Sequence, residues 1–271
     1  MVAGKPPPIT TVVVAGTKKE LGQHWLTDRY ILGEIASVAD IQQNDTVLEI
    51  GPGLGTLTSE LLKRAKKVVA VEFDSELARK LPAQFPGKNL EVIHEDILSF
   101  DLGQLPKDYV VVANVPYYIT SKIVQLLMIA DNKPRMTVLL VQKEVAERIA
   151  AKKGEMSMLA LGAQVFAEAR LGIEVPREFF TPPPKVDSQV VVLQTRSEPL
   201  IDNAQQKEFF RLARAGFSEK RKKLRSSLAG GLRLEKAQVD TLLRVAEIDP
   251  EARAQELSIE DWQKLLYAYQ H

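Results

Sequence analysis

The stretch Thr46-Val-Leu-Glu-Ile-Gly-Pro-Gly-Leu-Gly55 decides the fold of this 271-residue chain. Its first half, residues 46–50, is a short apolar run, which predicts a buried β-strand. Its second half, residues 51–55, contains three glycines, which let the backbone turn tightly and approach a ligand at the start of the next helix. The stretch therefore predicts a strand, a turn and a helix, which is one unit of an α/β domain.

The same alternation of strands and helices continues along the chain. Strands are predicted over residues 46–50, 67–72, 90–96, 109–114, 136–142 and 186–195, and helices over residues 28–38, 74–84, 120–130 and 158–167. The strands are nearly continuous runs of Val, Leu and Ile, as in strands buried on both faces of a mostly parallel sheet. The predicted fold class is therefore α/β, with a doubly wound, Rossmann-like sheet.

The composition changes after Arg-Ser-Glu-Pro at residues 196–199. Every periodic segment beyond this point is helical, and these segments cover residues 203–216, 218–228, 235–243 and 258–269. We therefore predict three parts of the chain. They are a flexible leader over residues 1–17, a Rossmann-like domain over residues 18–197 and a small all-helical domain over residues 198–271.

The overall composition excludes several classes of protein. Hydrophobic residues make up 45% of the chain and charged residues 26%, which is typical of a soluble globular protein. Without cysteine there are no disulfides or thiolate sites, and three scattered histidines predict no metal site. No apolar run approaches the ~18 residues of a membrane span, and the N-terminal apolar stretch is too short for a secretory signal. We expect a cytoplasmic monomer without a membrane partner.

The spacing of the glycines distinguishes two kinds of ligand site. Dinucleotide-binding folds use G-x-G-x-x-G, whereas Gly51, Gly53 and Gly55 form G-x-G-x-G after an acidic residue, Glu49. This spacing fits S-adenosyl-L-methionine (adenosylmethionine) better, with the three glycines as predicted contacts. Taken alone, the glycines are also explained by an ordinary turn between a strand and a helix.

Polar residues end the three strands that follow. Glu72 lies 21 residues after Gly51, where a carboxylate can accept hydrogen bonds from both ribose hydroxyls. Asp96 can accept one from an adenine amino group, and Asn114 ends the next strand. Because ligands of open α/β sheets bind beyond the carboxyl ends of the strands, we expect these residues to share one site.

The loop Asn114-Val-Pro-Tyr117 indicates methyl transfer to a planar, conjugated amino group. The lone pair of such a nitrogen is delocalised, so the nitrogen is a poor nucleophile. The Asn114 carboxamide oxygen and a backbone carbonyl at Val115 or Pro116 can each accept one N–H, which frees the lone pair to attack a sulfonium methyl in line. Tyr117 would stack on the base, since orientation can contribute up to ~7–11 kcal/mol. A simple Pro-Tyr turn is the alternative interpretation.

A second aromatic candidate lies in Phe179-Phe180, which precedes three prolines. The prolines hold the backbone extended and prevent a helix. One of the two rings is expected in the core. The other, held on a rigid loop, can stack on an unstacked base, an interaction worth ~1–3 kcal/mol.

Positive charge is concentrated at the start of the predicted helical domain. Residues 211–225 hold seven cations and one acid, Glu219, in a chain of formal net charge +1. The cations are Arg211, Arg214, Lys220, Arg221, Lys222, Lys223 and Arg225. Such a concentration is typical of phosphate binding, so we predict RNA contact here. A solvated helix face is the alternative.

From Lys18 to about residue 262 the chain resembles the ribosomal RNA adenine N6-dimethyltransferase family. The landmarks are residues 19–26 (Lys-Glu-Leu-Gly-Gln-His-Trp-Leu), 49–55, 114–117, 142–148 and 180–188 (Phe-Thr-Pro-Pro-Pro-Lys-Val-Asp-Ser). The last of these is very specific to the family. One departure is Trp25, which stands where the family usually has Phe.

The resemblance also implies roles for individual residues. Those implied to contact adenosylmethionine are His24, Leu26, Gly51, Glu72, Asp96 and Asn114. The same resemblance implies that Phe180 faces Tyr117 across the target adenine.

The branch that this chain resembles most converts two adjacent adenosines near the 3′ end of small-subunit (16S) rRNA to N6,N6-dimethyladenosine. The implied cofactor is adenosylmethionine, with four molecules used per RNA, and the implied partner is this rRNA in a small ribosomal subunit or its precursor. Two alternatives stay open. One is a resistance-type adenine methyltransferase of large-subunit rRNA, and the other is a non-catalytic assembly or transcription factor on the same fold.

Overall fold

The computed structural model describes residues 24–219 and 221–271. The predicted leader, residues 1–17, therefore lies outside the described residues. So do Lys220 and most of the N-terminal landmark, residues 19–23.

Nine strands form two sheets. They are β1 (Trp25–Leu26), β2 (Thr46–Ile50), β3 (Lys67–Glu72), β4 (Leu90–His94), β5 (Val110–Asn114), β6 (Met136–Gln142), β7 (Ala167–Val175), β8 (Phe180–Thr181) and β9 (Ser188–Thr195). The large sheet has the order β4-β3-β2-β5-β6-β9-β7, and β1 pairs with β8 in a separate two-stranded sheet. Strands β2 to β6 are parallel, whereas β9 runs antiparallel to both β6 and β7. The chain reverses its direction of progress across the sheet between β2 and β5, where open α/β sheets bind ligands.

Ten α-helices are present in the described parts of the chain. They are α1 (Arg29–Val38), α2 (Thr56–Leu61), α3 (Ser75–Lys80), α4 (Thr120–Ile129), α5 (Lys143–Ile149), α6 (Met158–Gln164), α7 (Asn203–Gly216), α8 (Leu224–Leu232), α9 (Lys236–Val245) and α10 (Ile259–Gln270). Asp28 caps α1 by accepting a hydrogen bond from the Ile31 amide, and the Asp74 side chain caps α3. None of the helices that the structure describes is both long and apolar enough to cross a membrane.

The α/β fold class and the helical C-terminal region are confirmed, and all six predicted strands are present. Three strands were not predicted, namely the two-residue strands β1 and β8 and the long strand β7. The helix expected over residues 158–167 ends at Gln164, and β7 begins at Ala167. Strand β7 lies at the edge of the sheet, where several of its side chains are exposed, so its sequence shows no continuous apolar run.

The helix predicted over residues 218–228 is also wrong in its bounds. Helix α7 ends at Gly216, and α8 begins only at Leu224. The Leu224 amide donates to the Ala252 carbonyl oxygen, a contact distant in sequence that sets the direction in which α8 starts. The basic segment is therefore the end of one helix, a connection and the start of another.

Each face of the large sheet packs against helices. One core cluster contains buried residues of α1 and α2 with alternate residues of the strands. The other runs without interruption from the opposite face of the sheet through α4 to α6 and into α7 to α10. The helical C-terminal region is thus joined to the sheet by a shared apolar core.

Candidate active site

A cavity opens beyond the carboxyl ends of β2 and β5, at the point where the strand order reverses. The side chains and backbone that line it come from the N-terminal landmark, the glycine loop, the end of β3 and the loop after β5. They are His24, Trp25, Leu26, Leu32, Glu49, Gly51, Pro52, Gly53, Thr56, Leu57, Glu72, Phe73, Asn114, Val115, Pro116, Tyr117 and Tyr118. Eight of the predicted site residues therefore line the same cavity.

Two of the three loop glycines face this cavity. Gly51 and Gly53 have φ of +66° and +55°, in the left-handed region that favours glycine. A methyl group on Gly53 would overlap the ring of Trp25, so only a residue without a side chain fits at this position. Gly55 points away from the cavity, towards Leu81 and Phe85. Gly55 shapes the turn without lining the cavity.

Glu72 is held rigidly at the cavity wall. One carboxylate oxygen accepts from the Gly53 amide at 3.0 Å, and the other accepts from the Asp74 amide at 2.8 Å. Burial raises the pKa of Glu72 above its usual range. A carboxylate oxygen can accept more than one hydrogen bond, so both oxygens remain able to receive ribose hydroxyls.

Glu49 is a second buried acid at the cavity, and the sequence prediction did not include it among the site residues. Its side chain is 1% exposed, and Oε2 accepts from the Thr58 hydroxyl at 2.6 Å. Burial raises the pKa of Glu49 to about 8. The available signal was an acid in a buried strand, two residues before Gly51.

The Asn114 side chain lies at the end of β5 and makes no hydrogen bond to any other described residue. Its carboxamide is therefore free to bind a ligand. The Pro116 carbonyl oxygen accepts from the Ile119 amide at 3.2 Å, which leaves one lone pair for a second donor.

Tyr117 is fixed from two sides. Its hydroxyl forms a hydrogen bond with the Ser188 hydroxyl at 2.7 Å, and the His24 ring stacks on it with centroids 5.9 Å apart. His24 Nδ1 lies 2.8 Å from the Pro182 carbonyl oxygen. Burial raises the pKa of the Tyr117 phenol, so the ring stays neutral. The ring is thus held at the cavity wall as a flat, uncharged surface.

The two-stranded sheet of β1 and β8 joins the two landmarks that are farthest apart in the sequence, residues 19–26 and 180–188. Trp25 pairs with Thr181, and Leu26 pairs with Phe180, so the N-terminal segment lies against the start of the proline-rich segment. Phe180 is 2% exposed and belongs to a core cluster, whereas the neighbouring Phe179 is 42% exposed. The structure does not bring Phe180 to the cavity, and its stacking role stays a prediction.

Asp96 also lies outside the cavity lining. It follows β4 by two residues, and its Oδ1 accepts from the Leu98 amide at 2.9 Å. The Glu95 amide donates to the Glu72 carbonyl oxygen, so Asp96 lies at the same edge of the sheet as the cavity. Its contact with adenine remains a prediction.

Acidic neighbours neutralise most of the predicted RNA contacts. Four of the cations form ion pairs, which are Arg211–Glu208, Lys222–Glu219, Lys223–Glu251 and Arg225–Asp240. Arg214 and Arg221 form no ion pair with any residue in the described ranges. RNA contact by this segment stays a prediction, and these two cations are its strongest candidates.

The residues of the cavity fit adenosylmethionine. Glycine backbone and a fixed carboxylate suit a ribose, and a positively charged donor bound beside the two buried acids would favour their ionised forms. Phe73 and Tyr118, which the sequence prediction did not select, are 60% and 66% exposed at the cavity. Their flat faces extend the cavity towards solvent. Among the residues that the structure describes, no group of three His, Asp or Glu gathers as metal ligands.

A family model described as ribosomal RNA adenine dimethylase matches residues 15–271. Ribosomal RNA small subunit methyltransferase A of Dehalococcoides mccartyi (strain CBDB1) is 44% identical over 257 residues, which cover 93% of this chain and 88% of that protein.

Two solved structures are similar over both the sheet and the helical region. A dimethyladenosine transferase from Plasmodium falciparum has a TM-score of 0.78 and 32% identity, covering 91% of this chain and 98% of that one. The 23S rRNA methyltransferase ErmE has a TM-score of 0.75 and 30% identity, covering 91% of this chain and all of that one.

Proposed function

This chain belongs to the ribosomal RNA adenine dimethylase family, and from that premise we propose the reaction that it catalyses. It is an adenosylmethionine-dependent rRNA adenine N6,N6-dimethyltransferase. Its substrates are two adjacent adenosines near the 3′ end of small-subunit rRNA, within a small ribosomal subunit or its precursor. It works in the cytoplasm, as a monomer, and the modification is part of ribosome biogenesis.

One observation carries this proposal. The free carboxamide of Asn114 and the fixed ring of Tyr117 line the same cavity as Glu72 and the glycine loop. A methyl donor and an extruded base can therefore be bound side by side. Extruding a base costs a few kcal/mol, and stacking of the base on the Tyr117 ring offsets part of that cost.

The residues of the cavity have separate roles in this reaction. Adenosylmethionine, when bound, supplies a methyl group on a cationic sulfur. In the first transfer, the Asn114 carboxamide oxygen and the Pro116 carbonyl oxygen accept hydrogen bonds from the two N–H groups of the adenine amino group, which frees the nitrogen lone pair. Each methyl group replaces one of these protons, which is released to solvent, so a single N–H remains to be held in the second transfer. Tyr117 stacks on the target adenine and holds it in the orientation that attack on the methyl group requires. Glu72 and the backbone at Gly51 fix the position of the donor, so orientation is the main source of rate acceleration.

The test is methylation of unmodified small subunits with labelled adenosylmethionine, followed by mass spectrometry of rRNA fragments. We expect N6,N6-dimethyladenosine at two adjacent positions. Asn114→Ala should lower methyl transfer by at least ~100-fold, because one of the two acceptors is gone. Asn44→Ala is the matched control, since Asn44 is exposed and lies at the opposite end of β2. Full activity of Asn114→Ala would show that the assigned role is wrong.

The large subunit is the second arm of the same experiment, because ErmE shares the fold at 30% identity. Relatives 38–45% identical to this chain are named as small-subunit methyltransferases, which favours the small subunit. Label incorporated only into large subunits would favour the resistance-type reaction instead. If a catalytically inactive variant still supports subunit assembly, a scaffold role accompanies the chemistry.

We also propose how the two regions share this function. Residues 18–197 form the catalytic part, and residues 198–271 hold the RNA. The predicted contacts with donor by Leu26, Gly55 and Asp96, and with adenine by Phe180, belong to this proposal. The ring of Phe180 has to leave its buried position to reach the base, whereas the exposed Phe179 does not.

A further inference from the structure

An apolar groove of about 630 Å³ lies between α4, α6 and α7, outside the cavity described above. Its volume is within the range of roughly 300–1,000 Å³ that is usual for small-ligand sites. Its lining includes Ser121, Arg148, Phe166, Lys207, Phe210 and Arg214. Arg148 ends the 142–148 landmark and Arg214 belongs to the basic segment, but neither motif predicts an open apolar surface here.

The floor of the groove is apolar and contains a stacked pair of rings. Phe166 and Phe210 lie with centroids 6.2 Å apart and planes at 21°. Phe166 is buried and Phe210 is half-buried, so Phe210 is the ring that a ligand can reach. Ile129 is 59% exposed at the edge. A planar, apolar ligand face fits this floor.

The rim of the groove is positively charged. It carries Arg148, Lys207 and Arg214, and none of the lining residues is acidic. None of the three cations forms an ion pair with a residue in the described part of the chain. Arg214 differs in this from the other described cations of residues 211–225, four of which are paired with acids. The rim therefore offers unneutralised charge to an anionic ligand.

Helix α7 presents one stripe of side chains to the groove. Lys207, Phe210 and Arg214 are spaced i, i+3 and i+7, so they lie on the same face of the helix. Two cations thus flank a ring that a ligand can reach. A nucleotide within an RNA strand has the matching shape, because its flat base lies between a 5′ phosphate and a 3′ phosphate.

The groove also lies next to the cavity. Tyr118 lines the cavity, and Ser121, three residues further along the chain, lines the groove. Helix α4 begins at Thr120 and connects the two. An RNA strand whose target base enters the cavity beside Tyr117 can therefore continue directly across the exposed Tyr118 ring into the groove.

We propose that this groove binds an unstacked nucleotide of the substrate RNA, a few positions from the target adenosine. Its base packs on Phe210 and Met158, and its phosphates contact Arg148, Lys207 and Arg214. This inference rests on the proposed function, because the substrate must be RNA. An acidic peptide would satisfy the rim, but the accessible ring and the continuity with the cavity favour a nucleotide.

The first experiment measures binding of a fluorescent RNA hairpin that carries the target adenosines, by anisotropy over a series of salt concentrations. Arg214→Gln should weaken binding and lower the slope of log K against log salt by about 0.7, the value for one phosphate of a single strand. Phe210→Leu should weaken binding by roughly 5- to 100-fold, since a base–ring stack is lost. Arg170→Gln is the matched control, on the exposed edge strand β7.

A second measurement locates the bound nucleotide. Abasic substitutions are placed one at a time along the hairpin. With the wild-type protein, one position outside the target pair should lower the affinity, and with Phe210→Leu that same position should have no further effect. Arg214 is exposed, so Arg214→Gln still tests the groove if Phe210→Leu fails to fold.

The proposal is overturned if both variants bind the hairpin as the wild type does. It is also overturned if hydrogen exchange shows the groove protected by an acidic peptide and not by RNA. Since binding is measured without methyl transfer, this result is independent of the proposed reaction. If the protein methylates rRNA but the groove variants bind RNA normally, only the groove proposal fails. If the groove binds RNA but the protein transfers no methyl group, only the proposed reaction fails.

Discussion

Single side chains at the cavity show how far the sequence identified the site. The sequence predicts Glu72 and Asn114 as site residues because each ends a strand, and Tyr117 because it lies in the loop after Asn114; the cavity brings the three together. Glu49 was missed as a site residue because nothing in a sequence tells how completely an acid is desolvated. Phe180 was selected from two adjacent rings, but only the tertiary structure shows which of the pair is buried.

Glu49 makes the stability of the unliganded protein depend on pH. Its pKa is raised from 4.5 to about 8 by burial, so the native state keeps a proton that the unfolded state releases. The stabilisation is fully present below about pH 4.5 and is lost as the pH rises towards 8, by at most about 1.4 kcal/mol per pH unit. Glu49→Gln cannot release this proton, and its amide oxygen can still accept from Thr58.

We therefore expect the advantage of Glu49→Gln over wild type in unfolding free energy to grow between pH 5 and pH 8. Urea unfolding at several pH values, without adenosylmethionine, measures it. Glu144→Gln is a suitable control, because Glu144 is exposed. Parallel pH dependences of the Glu49→Gln variant and the wild type would contradict this prediction.

Tyr117 combines a stacking ring with a hydroxyl that positions it. Tyr117→Phe removes only the hydrogen bond to Ser188, a loss of about 1 kcal/mol, so methyl transfer should slow by roughly 5-fold. Tyr117→Ala removes the ring and should lower kcat much further, with little change in affinity for adenosylmethionine. Single-turnover kinetics and calorimetry separate the two effects. Tyr267→Ala, on α10, serves as the control. Equal losses of kcat and of affinity for adenosylmethionine in Tyr117→Ala would indicate that Tyr117 has a structural role instead.

At the level of helices and strands, the apolar periodicity predicted what is buried and missed what is exposed. The central strands β2, β3, β5 and β6 are buried on both faces and were predicted within a residue or two. Strand β7 was missed because an edge strand needs no continuous apolar run. The helix over 218–228 was misplaced because a contact between Leu224 and Ala252, distant in sequence, decides where α8 begins.

The basic segment gives a prediction at this same level. Asp240 and Glu251 hold Arg225 and Lys223 in exposed ion pairs, which are worth at most about 1 kcal/mol each. If these cations face RNA, Asp240→Asn and Glu251→Gln should tighten RNA binding at low salt and make its salt dependence steeper. Anisotropy titrations over a salt series measure both quantities.

The matched control is Glu247→Gln, which removes an exposed acid paired with Lys264 instead. It changes the net charge by the same amount at a different place. If all three variants change RNA affinity equally, the effect is one of overall charge, and the basic segment is not the contact surface.

For the molecule as a whole, the shared core bears on how independent the two predicted regions are. The composition changes near residue 197, which suggests a boundary. Yet one apolar cluster runs from Leu48 and Val111 in the sheet to Trp262 in α10. Local sequence pattern does not report packing between distant segments, so this coupling was not predictable.

Trp262 offers a test of that coupling, because the chain has only two tryptophans and the other, Trp25, lies at the cavity. Trp262 is 0% exposed and stacks on Phe217 at 5.6 Å. In Trp262→Phe, Trp25 fluorescence reports on the cavity alone, while circular dichroism reports on all helices. A shared core predicts coincident unfolding transitions by the two probes. Trp262→Ala should lower both midpoints together, at a cost of about 3–5 kcal/mol. Separate transitions, with the Trp25 signal unaffected by Trp262→Ala, would show instead that residues 18–197 unfold as an independent unit.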